Sequence, residues 1–182
     1  MRAKIISSLE KCFLDETVLS KPELTGISMM KNERYSFQVC FDIAESLGVK
    51  YRSKNIVYFR IESALKDYIR LYRVQSIPSE MPVIPNEYDS NYLRTEPGLY
   101  PDLLQPMDAT TRLPARNALL SVWVEVDPKG AVPAGVYPIK GIFTDEKGAV
   151  VAEVSIDAEI INAELPEQEL IYTQWFYTDC LM

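Results

Sequence analysis

The stretch Tyr35-Ser36-Phe37-Gln38-Val39-Cys40-Phe41-Asp42-Ile43 alternates without a break, with Tyr35, Phe37, Val39, Phe41 and Ile43 on one side and Ser36, Gln38, Cys40 and Asp42 on the other. Successive strand residues point to opposite faces, so a period of two marks a half-buried strand. A helix would scatter the five apolar side chains round its circumference. Burying them contributes on the order of 8–15 kcal/mol gross, an upper bound because the unfolded chain is itself partly compact. The polar side is then expected to face water.

The same period recurs in Ala152, Val154, Ile156, Ala158 and Ile160 against Glu153, Ser155, Asp157 and Glu159, where one side is apolar and the other largely acidic. Runs rich in β-branched and aromatic residues predict further strands over 55–63, 68–77, 119–126 and 136–144, with shorter stretches at 3–7, 26–30 and 171–176. Thr144-Asp145-Glu146-Lys147-Gly148 between two of them reads as a hairpin loop with glycine at a positive φ. The segment 62–70 has some helical character but no sustained 3.6 periodicity. The fold class that follows is all-β, an immunoglobulin-like antiparallel β-sandwich.

Between residues 76 and 118 the alternation lapses, and seven of the twelve prolines fall there: Pro78, Pro82, Pro85, Pro97, Pro101, Pro106 and Pro114. Proline cannot donate to a ladder, so 77–117 is expected to be a long proline-rich crossing loop. Such a length is far above ordinary connections, which implies either a functional loop or an extended segment held across the sandwich by its own side chains. Tyr88, Tyr92, Leu93, Leu99, Tyr100, Leu103 and Leu104 favour packing.

Composition narrows the chemistry. The chain has 182 residues, 47% apolar and 25% charged, enough for a sizeable core without disulfide or metal staples. With no histidine it cannot itself supply a Ser-His-Asp or Cys-His machine, an imidazole base or a His-ligated zinc. A net charge of −7 with no basic run argues against nucleic acid and an anionic membrane surface as partners. Cys12, Cys40 and Cys180 are odd in number and widely spaced, which signals neither a disulfide framework nor a thiolate metal site, and at most one bridge can form. No stretch approaches a membrane helix, and the opening residues lack the apolar core of a signal peptide, so the expected location is cytoplasmic. No cofactor is expected.

Several constellations are candidates for function. Glu96, Asp102 and Asp108 are acids in the proline-rich segment, and a glycosidase needs two carboxylates facing each other across a bond; as isolated acids they equally suit solvated loop positions. Asn86-Glu87-Tyr88-Asp89-Ser90-Asn91 offers alternating oxygen ligands, but it lacks the glycine and closing glutamate of a calcium loop and suits an Asx-turn better. Aromatic rings can take a pyranose face, so Tyr88, Tyr92 and Tyr100, or Trp175, Phe176 and Tyr177, are candidate planks that could equally be core anchors. Trp123 sits on the side of its strand shared with Leu119 and Ser121, as a rim residue or a contact with a second layer. Cys40 has Asp42 for a neighbour, which would raise its pKa and not activate it.

The residues 170–182 read like a strand running into another core, and Pro166 before them suits a hinge between domains. The succession of Asn32-Glu33-Arg34-Tyr35-Ser36-Phe37-Gln38-Val39, Gly98-Leu99-Tyr100-Pro101-Asp102-Leu103-Leu104, Val122-Trp123-Val124-Glu125-Val126, Pro133-Ala134-Gly135-Val136-Tyr137, Leu165-Pro166 and Thr173-Gln174-Trp175-Phe176-Tyr177-Thr178-Asp179-Cys180-Leu181 resembles large bacterial glycoside hydrolase-like proteins. In that family, otherwise known as a domain of unknown function, a β-sandwich precedes a (β/α)₈ barrel. The family usually has a histidine where this chain has Tyr177, a departure that removes an imidazole.

The resemblance implies that residues 1–166 are an accessory sandwich and that 167–182 are a linker and the start of a truncated downstream barrel domain, which would be the partner. Barrel chemistry sits at the C-terminal ends of strands, so no catalytic residue is carried over. Trp175 and Asp179 are candidate contributors to a site the barrel completes, and Tyr92, Tyr100 and Asp102 are candidate carbohydrate contacts. The expectation is a non-catalytic accessory domain of a carbohydrate-active enzyme. Its competitors are an independent carbohydrate-binding module, and an assembly domain that self-associates through the tail.

Overall fold

The computed structural model describes residues 1–43, 55–80, 83, 90–167 and 169. The described residues form ten strands: β1 (Arg2–Ser7), β2 (Gly26–Met30), β3 (Tyr35–Asp42), β4 (Asn55–Glu62), β5 (Ile69–Ser79), β6 (Gly98–Met107), β7 (Leu113–Ala115), β8 (Leu120–Val126), β9 (Gly135–Asp145) and β10 (Val150–Ile161). They form two five-stranded sheets, in the order β1-β3-β8-β5-β6 and β2-β10-β9-β4-β7. Among the described residues there is no α-helix, only single 3₁₀ turns at Val18–Ser20 and Lys66–Tyr68. The molecule is an all-β sandwich. Among the described residues its pairings are antiparallel with one exception, β2 on β10, which runs parallel from Gly26 opposite Asp157 to Met30 opposite Ile161.

The alternating residues form the core, as the period of two requires. Phe37, Val39 and Phe41 of β3 and Val122, Val124 and Val126 of β8 face Val57 and Phe59 of β4, Ile139 and Phe143 of β9, and Ile156, Ala158 and Ile160 of β10. Phe143 stands between Phe41 and Phe59, with ring centroids 4.9 and 4.6 Å away, so the sheets are joined by a tilted aromatic stack. That stack leaves no room beside it. A Cβ on Gly141 would lie 2.9 Å from the Phe59 ring and 3.0 Å from Val154 Cγ2, which explains a glycine in mid-strand. The acidic side of β10 is exposed as expected. In the hairpin that precedes β10, Gly148 has φ 82°, and Asp145 Oδ1 accepts the Lys147 and Ala149 amides at 2.8 and 2.9 Å.

Two expectations are corrected. First, β3 is buried on both faces, because the segment from residue 8 to residue 24 lies across its polar side and is itself anchored by buried Cys12, Phe13, Val18 and Lys21. The polar side chains are the fastenings. Gln38 Nε2 donates to Glu10 O at 2.7 Å and its Oε1 accepts from Ser121 Oγ at 2.9 Å, while Asp42 Oδ2 accepts the Val18 amide at 3.0 Å. Buried polar groups are tolerated when paired in this way.

Second, the proline-rich segment is not a structureless crossing loop, since it contains β6 and β7. Each lies at the edge of its sheet, where a missing N–H faces solvent and disrupts no ladder, so Pro101, Pro106 and Pro114 are compatible with strand geometry. The leucines expected to pack there do not: Leu93, Leu99 and Leu103 are exposed. The expected strand at 171–176 lies outside the described residues.

Candidate functional site

A cleft of about 200 Å³ opens on the outer face of the first sheet, bounded by β8, β5, β6 and the covering segment. Its central side chain follows from strand parity. Because Val122, Val124 and Val126 point into the core, Trp123 must point outward, and in the register it lies between Gln38 of β3 and Tyr72 of β5. The indole is half-buried in the cleft wall.

Asp102 reaches the same cleft through a β-bulge. Gln75 pairs with Leu103 and Ser76 with Pro101, so Asp102 is the extra residue of β6 and has no partner on β5. Bulges re-aim side chains in this manner, and Pro101, which has no N–H to lose, sits beside the irregularity. Lys11 of the covering segment closes the rim, with Nζ donating to Pro101 O at 3.2 Å and lying 3.7 Å from Asp102 Oδ1. Both charged side chains are about half exposed or more, so the pair contributes no more than about 1 kcal/mol, and its use is to position the two groups.

The cleft therefore brings together an indole, a carboxylate and an ammonium group. It is smaller than the roughly 300 Å³ at which pockets for drug-sized ligands begin, which limits it to about one sugar ring. Gln38 forms part of its wall, yet both ends of its amide are already bonded.

Of the other sequence candidates, Tyr100 lies on β6, but its ring meets Phe13 edge-on at 5.6 Å and its hydroxyl donates to Glu96 O at 2.6 Å. It is an anchor, with the Arg94 guanidinium 3.7 Å over the opposite partner Phe13 and bound to Asp15 by two hydrogen bonds. Tyr92 is exposed in the turn before β6. Asp108 is in the turn after β6, where its Oδ1 accepts from the Thr110 hydroxyl at 2.7 Å and the Thr110 amide at 2.9 Å. Those hydrogen bonds, the hydroxyl's first, hold its carboxyl below the usual range, the opposite of what a general acid needs. Trp175, Asp179, Phe176, Tyr177, Tyr88 and the first four residues of the 86–91 run lie outside the described residues. Among the described residues no cluster of three or more His, Cys, Asp or Glu could hold a metal ion, and no helix is long and apolar enough to cross a membrane.

Trp123 was the residue that sequence reasoning placed without assigning a site. Its signal was an aromatic on the outward parity of a central strand, and what could not be read was the covering segment that turns that face into a cleft.

No protein-family model and no curated protein matches the sequence. Among solved structures, the chain is similar to a family 123 glycoside hydrolase from Clostridium perfringens, studied for glycolipid glycan hydrolysis, with a TM-score of 0.63 and 11% identity. The match covers 91% of this chain and 28% of that one. A second match, to the N-terminal domain of PorA, covers 87% of this chain and 97% of that domain at 12% identity, with a TM-score of 0.36. The sandwich described above is thus a fold that also occurs within a glycoside hydrolase, of whose length this chain spans little more than a quarter.

Proposed function

We propose that this chain is a non-catalytic accessory β-sandwich of a glycoside hydrolase-like protein, lying against a barrel domain of the same polypeptide that carries the chemistry. The observation that carries this reading is the match in which 91% of the chain corresponds to only 28% of a family 123 glycoside hydrolase. Two features of the site support it. The described acids serve the fold, Asp108 as a turn and Asp102 as a bulge residue paired with Lys11. The exposed leucines Leu99 and Leu103 of β6 give the sandwich an apolar edge suited to a neighbouring domain. The test is a panel of glycosides offered to the chain: no turnover is expected, and robust turnover lost on Asp102→Asn or Glu96→Gln overturns the reading.

A second reading, an independent carbohydrate-binding module, is favoured by the Trp123 and Asp102 cleft. Calorimetry against mono- and oligosaccharides separates the two, since a module binds on its own and loses that binding on Trp123→Ala, with Tyr92→Ala as the comparison outside the cleft. Self-association through residues 167–182 is checked by light scattering with and without that tail.

A further inference from the structure

Cys12 and Cys40 start 28 positions apart, on a covering segment without regular structure and on the outward face of β3. They end in one buried cluster with Ile6, Val18 and Leu119, at 2% and 0% exposure. Both are free thiols. Each is the foremost influence on the other's ionisation through a side-chain hydrogen bond, so the two sulfurs face one another. Buried cysteines usually behave as small apolar residues, and burial by itself implies no reaction.

Two observations separate this pair from that case. Cys12 also lines the outer cleft beneath Trp123 and Lys11, which gives a small reagent a path to one sulfur and not to the other. The surroundings are also asymmetric. Cys12 is eased toward its thiolate first by Cys40, then by Ser121 and the ammonium group of Lys21, against burial and the Glu16 carboxylate, whereas Cys40 is pushed up by Cys12 and by burial, against Lys4. Lys21 is held in place, its Nζ donating to Lys11 O at 2.6 Å and lying 2.8 Å from Glu16 Oε2. Asp42, two residues beyond Cys40, is bound to Arg2.

We propose that Cys12 and Cys40 form a redox pair that closes into a disulfide and fastens the covering segment to β3, with a peroxide small enough for the cleft, such as hydrogen peroxide, as the oxidant. In the first step the Cys12 thiolate attacks one oxygen of the peroxide, the O–O bond breaks, and Cys12 becomes a sulfenic acid while the released hydroxide takes up the proton lost by Cys12 and leaves as water. In the second, Cys40 gives up its proton and attacks the Cys12 sulfur, and the sulfenic hydroxyl leaves with that proton as a second water. Two protein thiols are oxidised by two electrons and one hydrogen peroxide is reduced to two waters. Cys12 is the entering nucleophile because it has the access and the cationic neighbour, and Cys40 is the resolving thiol.

The experiment exposes the whole chain, carrying Cys180→Ser to remove the third thiol, to hydrogen peroxide. The expected results are a mass lower by two hydrogens, a peptide joining Cys12 to Cys40 in a non-reducing digest, and an unfolding midpoint raised by about 5–10 °C and restored by dithiothreitol. A Cys40→Ala chain, which keeps the site apolar, should stop at the sulfenic acid on Cys12, trapped as its dimedone adduct. If that chain does not fold, the digest of the Cys180→Ser chain decides alone. A sulfenic acid on Cys12 with Cys40 still free, or thiols that react only in denaturant, overturns the proposal.

Discussion

Arg2 and Asp42 lie opposite one another in the β1–β3 register and are joined twice, Nε to Oδ1 at 2.7 Å and Nη2 to Oδ2 at 2.6 Å. Asp42 is 2% exposed, and the same Oδ2 also accepts the Val18 amide at 3.0 Å. One carboxylate therefore ties the edge strand, β3 and the covering segment together. Asp42→Ala leaves a partly buried guanidinium and a buried amide without their acceptor. The expected destabilisation is about 2–4 kcal/mol, below the most severe cases because Arg2 keeps some contact with water. Urea unfolding checks it, and the companion Arg2→Ala chain, in which Asp42 keeps the Val18 bond, should lose less than half as much.

Gly141 supplies a prediction about the core. An alanine there drives its Cβ against Val154 and against the Phe59 ring, which is held by the aromatic stack between the sheets. Overpacking of this kind costs about 1–3 kcal/mol. Gly141→Ala should lower the thermal midpoint, and Phe59→Leu should relieve part of the loss when combined with it, which a double-mutant cycle measures. Strict additivity would show that the glycine serves some purpose other than clearance.

The pH prediction concerns Asp15, whose carboxyl is held below its usual range first by hydrogen bonds from Arg94. A carboxylate with a depressed native pKa stabilises the fold above its unfolded pKa, near 4, and the contribution disappears as pH falls through the lower native value. The pair is largely exposed, so the effect is small and weakens with salt. Asp15→Asn should therefore lower stability slightly at neutral pH, with the difference from the parent closing as the pH falls below about 4. A difference that stays as large at the acid end of the profile as at neutral pH would contradict the assignment.

The sandwich was legible because its core strands alternate, and alternation is a direct record of one wet and one dry face. The inward residues of β3 and β10 were all identifiable for this reason. The covering segment left no such record. Its anchors, Cys12, Phe13, Val18 and Lys21, have no period, and Gln38 and Asp42 read as solvent-facing until their partners from residues 7–18 are in place. Proline statistics concealed β6 and β7, because the rule against proline in sheets holds for central strands and not for edges. For the candidate site, the structure places Asp102 in the same cleft as Trp123. For Tyr100 the sequence left a sugar contact and an anchor both open, because its commitments to Phe13 and Glu96 are contacts made in space.

The parallel seam between β2 and β10 constrains how the molecule assembles during synthesis. Residues 26–30 leave the ribosome well before residue 161, yet among the described residues the strand they bond to is completed at Ile161. Until then Ile27 and Met29 have no permanent shelter, and the second sheet cannot close from its N-terminal side. Parallel pairing over so long a separation is slow to nucleate. The last of the described strands to emerge is thus the one that locks one of the first.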